Sequence, residues 1–368
     1  MSLASVRERQ VHAGARIDSA GETEIVRDYG DGDAEYRAIR EEAGVVARDD
    51  RAQLRMWGRD PARMLNGLIT NDLGRLEDGQ TVQALMLTPK GRIISDLRVL
   101  RWVDGKEGEL LIDIPADALS TILEHLKKYV PPLFARWEVI TDGMGALGIY
   151  GPNAPTLVSR AIGLASALEE GESAEADVGH ERVFCVATKY AGGEAGFDVF
   201  GNEAGLTALW DELANGDAVR AHPVGHTALE VLRIEEGRPR YGKELTEEVL
   251  PAEAFGAGDS LGRWISFTKG CYTGQEVVVR IAHRGHVNRH LRGLLLGERG
   301  PRPVEGTPLM EPDGGKEVGR ITSVSRSPRL EQDVALGYVR REITPGSELR
   351  IGAEGGATAT VVELPFPR

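Results

Sequence analysis

From Val287 to the C-terminus the chain holds only short alternating runs: LRGLLLG, EVGRITSVS, VALGYV, ELRIG and ATATVVEL. They are separated by glycine, proline and aspartate turns. Strand side chains alternate between two faces, whereas a helix groups its apolar residues three and four positions apart. No helical spacing survives in this segment. Several short strands with no helix to cover them must close on themselves or pack as two layers. The segment therefore predicts a small all-β barrel or sandwich, taken here as residues 287–368.

Upstream the pattern is mixed. AEYRAIREEAG predicts a helix closed by Gly44, and AQLRMWG predicts a strand. DPARMLNGLIT carries an Asp60 cap with Pro61 in the first turn. Two alternating runs around the turn Asp104–Gly108 predict a hairpin, and Leu119, Ile122, Leu123 and Leu126 stand at helical spacing. RVFCVAT and GFDVFG predict two strands around a glycine-rich turn, and AGLTALWDEL a helix. The acidic stretch Ala165–Val178 is expected to be an exposed loop, and VVVRI, from Val277, a strand. Residues 1–34 form a polar N-terminal extension, and 35–286 an α+β region of two intertwined lobes.

A chain of 368 residues exceeds one ordinary core, so more than one domain is expected. No apolar run is long enough to span a bilayer, and the first residues lack the apolar core of a secretory signal. Two distant cysteines give neither a disulfide framework nor a metal-binding pair. A cytoplasmic location, no membrane partner and no bound metal are the resulting expectations. A formal charge of −13 argues against a protein built around a nucleic-acid backbone. The basic segment VVVRIAHRGHVNRHLR keeps an RNA-facing module as a minor alternative.

Four clusters carry candidate chemistry. Asp96 follows the Lys90-Gly91-Arg92 turn and enters a strand on the face opposite Ser95 and Leu97; a solvated or capping residue is the bland reading. Glu194 and Asp198 flank a glycine turn, where a carboxylate can grip a planar ring through paired charge-assisted hydrogen bonds. Arg233, near the end of a helix that precedes Tyr241-Gly242, suits a ligand carboxylate or a neighbour such as Glu230 or Glu236. Cys271 sits beside Lys269 in KGCYTGQE, among glycines and charges that favour a thiolate. From the residues alone it fits a reactive thiol or a turn residue equally well. Cys185, inside an apolar strand, reads as packing.

Together these clusters resemble the aminomethyltransferase, or glycine cleavage T-protein, superfamily. The matching segments are NGLITNDL, LTPKGRIISDL, GGEAGFDVF, LRIEEGRPRYG and GRITSVSRSPRLEQDVALGYV. KGCYTGQE resembles the signature of the superfamily's folate-binding YgfZ branch. The resemblance implies a three-lobed T-protein-like folate-binding fold with a small C-terminal β-barrel and a central tetrahydrofolate site. It implies that Asp96 lies near the reacting folate nitrogens and that Asp198 holds the pterin ring. Glu194, Arg233 and Tyr241 would complete the folate site. Ser95 stands where the T-protein has a first aspartate, Ala195 where it has an acid, and Tyr190 is about one position out of register. These departures argue against conventional aminomethyl transfer and leave folate binding. The expected function is then a tetrahydrofolate-binding accessory factor for iron–sulfur client enzymes, such as those that methylthiolate tRNA. It would use Cys271 with Lys269, and whether it is an enzyme stays open. The alternative is a tetrahydrofolate-dependent aminomethyltransferase of glycine cleavage type.

Overall fold

The structure, a computed structural model, describes residues 4–20, 23–101, 108–164, 168–189, 196–214, 219–256, 258–297, 300–313, 315–352 and 357–367. The chain forms two compact units. The first comprises Met1–Ala84 and Asp96–Leu229, the second Leu85–Ser95 and Glu230–Arg368. The chain passes into the second unit within the strand Thr81–Leu87 and returns within Ile93–Arg101.

The first unit holds one whole sheet and most of a second. One has six strands in the order Ser173–Val178, Glu181–Thr188, Gly196–Gly201, Gly145–Tyr150, Gly44–Ala47 and His222–Pro223. The other has five, in the order Thr81–Leu87, Ile93–Arg101, Leu110–Pro115, Arg51–Gly58 and Ala135–Val139. Strand alternation divides the six-stranded sheet cleanly. Phe197 and Val199 face a core shared with the helices Ala154–Ile162 and Glu203–Ala214. Phe200, on the other face, packs with Ala146, Phe184 and Val186 against Leu100 and Leu111 of the five-stranded sheet. Three residues, Arg48–Asp50, join the last strand before them to the first strand after them, and so cross from one sheet to the other.

Two local expectations change here. The helix Gly32–Glu41 ends before Gly44, which opens a strand instead. A side chain on Gly44 would stand 2.6 Å from Ile39, so close packing rather than capping calls for glycine. Within the acidic stretch expected to be a loop, Ser173–Val178 is an edge strand paired with Glu181–Thr188. The N-terminal extension contains the helix Ala4–His12 and a hairpin of Arg16–Ala20 with Thr23–Asp28. It is anchored: Arg9 forks onto Asp211 at 2.7 and 2.6 Å, and Val6 is buried.

The second unit ends in a closed six-stranded barrel. Its order is Arg289–Leu296, Gln332–Arg340, Glu317–Ser327, Pro308–Met310, Glu348–Ile351 and Thr358–Val362, with the last strand pairing back to the first. Gln275–Arg284 is a helix, not the strand its valine run suggested. Val278 is buried with Val277 and Ile281 half-buried beside it, while Glu276, Arg280 and His283 are exposed. That is one apolar stripe at helical spacing, which outweighs the modest helix cost of β-branched residues. Among the described residues, no helix is long and apolar enough to cross a membrane.

Candidate functional site

The crossover Arg48–Asp50 opens an ionic network that runs through the first unit. Arg48 forks onto Asp50 at 2.9 and 3.1 Å and donates to the Tyr150 hydroxyl at 2.7 Å. It also reaches the nearer oxygen of Asp198 at 3.5 Å. Asp198 lies opposite Gly148 in the neighbouring strand. Tyr150, two residues further on, shares that face, and its ring lies where a Gly148 side chain would stand; an added Cβ would meet ring atoms at 2.4–2.5 Å. The Tyr150 hydroxyl donates to Asp198 Oδ1 in a short hydrogen bond. Arg98 pairs with the other oxygen at 2.8 Å while lying over the Phe200 ring, 5.3 Å from its centroid. Burial resists the charge on Asp198, but Arg98 and Arg48, with the Tyr150 hydroxyl, outweigh it and hold the carboxyl below its ordinary range.

Asp96, Arg98 and Leu100 share one face of their strand, by the same alternation. Arg98 stands directly opposite Asp113 and donates to it at 3.2 Å. Asp113 also accepts from Gln53 at 3.3 Å and from Arg51 Nε at 3.2 Å. Arg51 then donates to Asp96 Oδ2 at 3.1 Å. The two acids that the resemblance singled out are therefore joined through Arg98, Asp113 and Arg51. Asp198 is the enclosed end, its side chain 6% exposed; the Asp96 side chain is 16% exposed. Burial works against the Arg51 charge, yet Asp113 and Asp96 raise its pKa above the ordinary arginine value.

Sequence reasoning missed Arg48, Arg51, Arg98, Asp113 and Tyr150. A signal was present: Asp113 stands in LLIDIP and Arg98 in SDLRVL, charges within apolar runs. A charge buried in a strand needs a partner, so each pointed to another.

Arg233, Tyr241, Lys269 and Cys271 belong to the second unit. Arg233 is 4% exposed and its donors are directed within the protein. Nε reaches Glu230 at 2.7 Å, Nη1 reaches Glu244 at 3.1 Å, and Nη2 reaches the Ser323 hydroxyl at 2.6 Å. Tyr241 is half-buried in the following loop and bridges to Leu245. The Lys269 ammonium lies over the Tyr272 ring at 5.3 Å. Burial pushes the Tyr272 hydroxyl up to about 12, and Cys271 between them is exposed. Glu194 falls outside the described residues, as do Tyr190 and Ala195. Among the described residues, no three His, Cys, Asp or Glu side chains gather as a metal site.

The candidate groups differ in how far their neighbours engage them. Asp198 takes two arginines and a tyrosine, and Arg233 is likewise engaged by Glu230, Glu244 and Ser323. Asp96 is an acid with partial exposure, paired with Arg51.

Residues 6–269 match the GCVT N-terminal domain and residues 289–367 the glycine cleavage T-protein C-terminal barrel domain. An aminomethyltransferase of Parafrankia sp. (strain EAN1pec) is 30% identical over 98% of this chain and 96% of its own length. One from Rubrobacter xylanophilus is 31% identical over 96% and 91%. The fold is that of the glycine cleavage system aminomethyltransferase T from Bartonella henselae, with a TM-score of 0.84 at 22% identity, covering 99% of this chain and 97% of that one. These relatives overturn the expectation of an iron–sulfur accessory factor acting through Cys271. They carry the name aminomethyltransferase and align with nearly the whole chain, whereas the KGCYTGQE segment that prompted the other reading lies, after Lys269, outside both matched domains. The two matched domains, in order and covering nearly all of the sequence, place the chain in the glycine cleavage T-protein (GCVT) family.

Proposed function

We propose that the protein is a tetrahydrofolate-dependent aminomethyltransferase of glycine cleavage type. Support comes from relatives of that name aligned along almost the entire chain. The observation in the site that carries the reading is Asp96, a partly exposed carboxylate at the open end of a buried ionic network. Tetrahydrofolate, when bound, supplies the nitrogens that accept the one-carbon unit. In this reading Asp96 lies beside those nitrogens, where an ionised carboxylate stabilises positive charge developing on the transferred group. Asp198 anchors Arg98 and Arg48 and so keeps the network's geometry fixed; its own oxygens are turned to Tyr150 and the two arginines. Lys269, Arg233 and Tyr241 serve the second unit's structure and carry no transfer step.

The test is aminomethyl transfer from a lipoyl-linked donor to tetrahydrofolate by wild type, Asp96→Asn and Cys271→Ala. Loss with Asp96→Asn and full retention with Cys271→Ala is expected. Retained transfer in Asp96→Asn, or its loss in Cys271→Ala, refutes the assignment. Tetrahydrofolate titration against Asp198→Asn adds a second measure. A modest change in affinity fits the anchoring role, whereas abolished binding would make Asp198 a direct contact.

A further inference from the structure

Asp96 is gripped by a residue from a different strand. Arg51 opens the strand Arg51–Gly58 and donates through Nη1 to Asp96 Oδ2 at 3.1 Å. Its remaining nitrogens are fixed on Asp113: Nε to Oδ2 at 3.2 Å and Nη2 to the backbone carbonyl at 3.0 Å. The second bond matters because a backbone oxygen cannot swing aside as a side chain can. Asp113 is itself pinned by Arg98 and Gln53. Turning Arg51 away from Asp96 would therefore break several bonds at once, in a place where the side chains are only 15% and 7% exposed.

We propose that Arg51 is a positioning residue for Asp96, holding its carboxylate in one orientation through the rigid Asp113 clamp. The consequence for turnover rests on the aminomethyltransferase reading; the holding itself does not. A planar fork suits this task because it fixes direction as well as charge, which an ammonium does not.

The experiment compares wild type, Arg51→Lys, Arg51→Met, Asp96→Asn and the double variant Arg51→Met/Asp96→Asn. Three quantities are read: thermal stability, the carboxyl ¹³C resonance of Asp96 in ligand-free protein, and aminomethyl transfer to tetrahydrofolate. The Asp96 resonance is identified by its loss in Asp96→Asn. The expected result is that Arg51→Met moves that resonance and lowers kcat on the order of 100-fold, the size of effect that a misplaced group produces. KM for tetrahydrofolate stays within about threefold, because orientation rather than binding is lost. The double variant is no slower than Asp96→Asn, because the two residues act as a unit. Arg51→Lys lies between, and carries the comparison if Arg51→Met fails to fold. An unmoved Asp96 resonance in the Arg51 variants overturns the proposal, as does unchanged kcat where Asp96→Asn is inactive. Absent transfer by wild type instead overturns the functional reading, and the resonance still decides whether Arg51 holds Asp96.

Discussion

Gly274 and Gly91 meet backbone to backbone in the second unit: a Cβ on Gly274 would stand 3.1 Å from the Gly91 Cα and 2.7 Å from the Thr88 carbonyl oxygen. Gly274 also sits at φ +83°, where an L side chain is strained. The second glycine of KGCYTGQE therefore answers to packing against the Lys90-Gly91-Arg92 turn. Gly274→Ala is expected to cost about 1–3 kcal/mol in urea denaturation, the usual range for an overpacked site. Gly270→Ala, with open space around it, should change stability by less than about 0.5 kcal/mol. Equal effects would show that the approach of the two glycines is not what the motif maintains.

Tyr150→Phe removes the hydroxyl that donates to Asp198 and leaves the ring in place. A buried acceptor then loses one partner, at a cost of about 1–3 kcal/mol. Gly148→Ala should be at least as damaging, because the added methyl displaces the Tyr150 ring. Thermal unfolding of both variants decides the matter. If Tyr150→Phe matched wild type, the short bond to Asp198 would have no share in stability.

Replacing Arg233 by Met strands Glu244, whose side chain is 0% exposed and is joined to Ser323 at 2.6 Å. Breaking one side of a buried pair costs about 3–5 kcal/mol. Arg233→Met/Glu244→Gln should recover part of that loss, because the orphaned charge is gone. An additive double variant in denaturant melts would argue that the pair is not coupled.

Stability should also vary with pH through Asp49. Burial raises its pKa to about 6, against the pull of Arg7 at 3.1 Å and with Asp50 adding to the rise. Its folded pKa lies above the unfolded carboxylate value of about 4, so the folded state binds the extra proton. The favourable contribution is complete below about pH 4 and is lost as pH rises through about 6, to a total of roughly 3 kcal/mol. Asp50 and Asp198 have depressed values and act oppositely, losing their contribution as pH falls below the unfolded value. Between pH 4.5 and 7 the urea midpoint of wild type should fall relative to that of Asp49→Asn. Parallel curves would remove Asp49 as the source.

The strands and the barrel were legible because period-two alternation and turn residues are local properties. Asp96 and Asp198 stood out one at a time for the same reason. Their connection did not, since Arg48, Arg51, Arg98, Asp113 and Tyr150 come from separate strands and a crossover that only folding brings together. The helix Gln275–Arg284 was hidden by Val277, Val278 and Val279, whose branching favours strands; the outward Glu276 and Arg280, four apart, were the better guide. Ser173–Val178 was hidden by its alanines and acids, which an edge strand tolerates because one side pairs and the other is free of the sheet. The Cys271 motif misled in another way. It was distinctive, but the function read from it is not the one the relatives along the chain are named for.

The closed barrel sets an order of events during synthesis. Its first strand, Arg289–Leu296, pairs with its last, Thr358–Val362, so the ring cannot shut until Val362 has left the ribosome. Leu85–Ser95, by contrast, is made early and must wait for Glu230 and everything after it before its own unit is complete. The first unit has all its residues by Leu229. Nascent chains halted near residue 280 should therefore hold a protease-resistant first unit while Leu85–Ser95 is still open to cleavage.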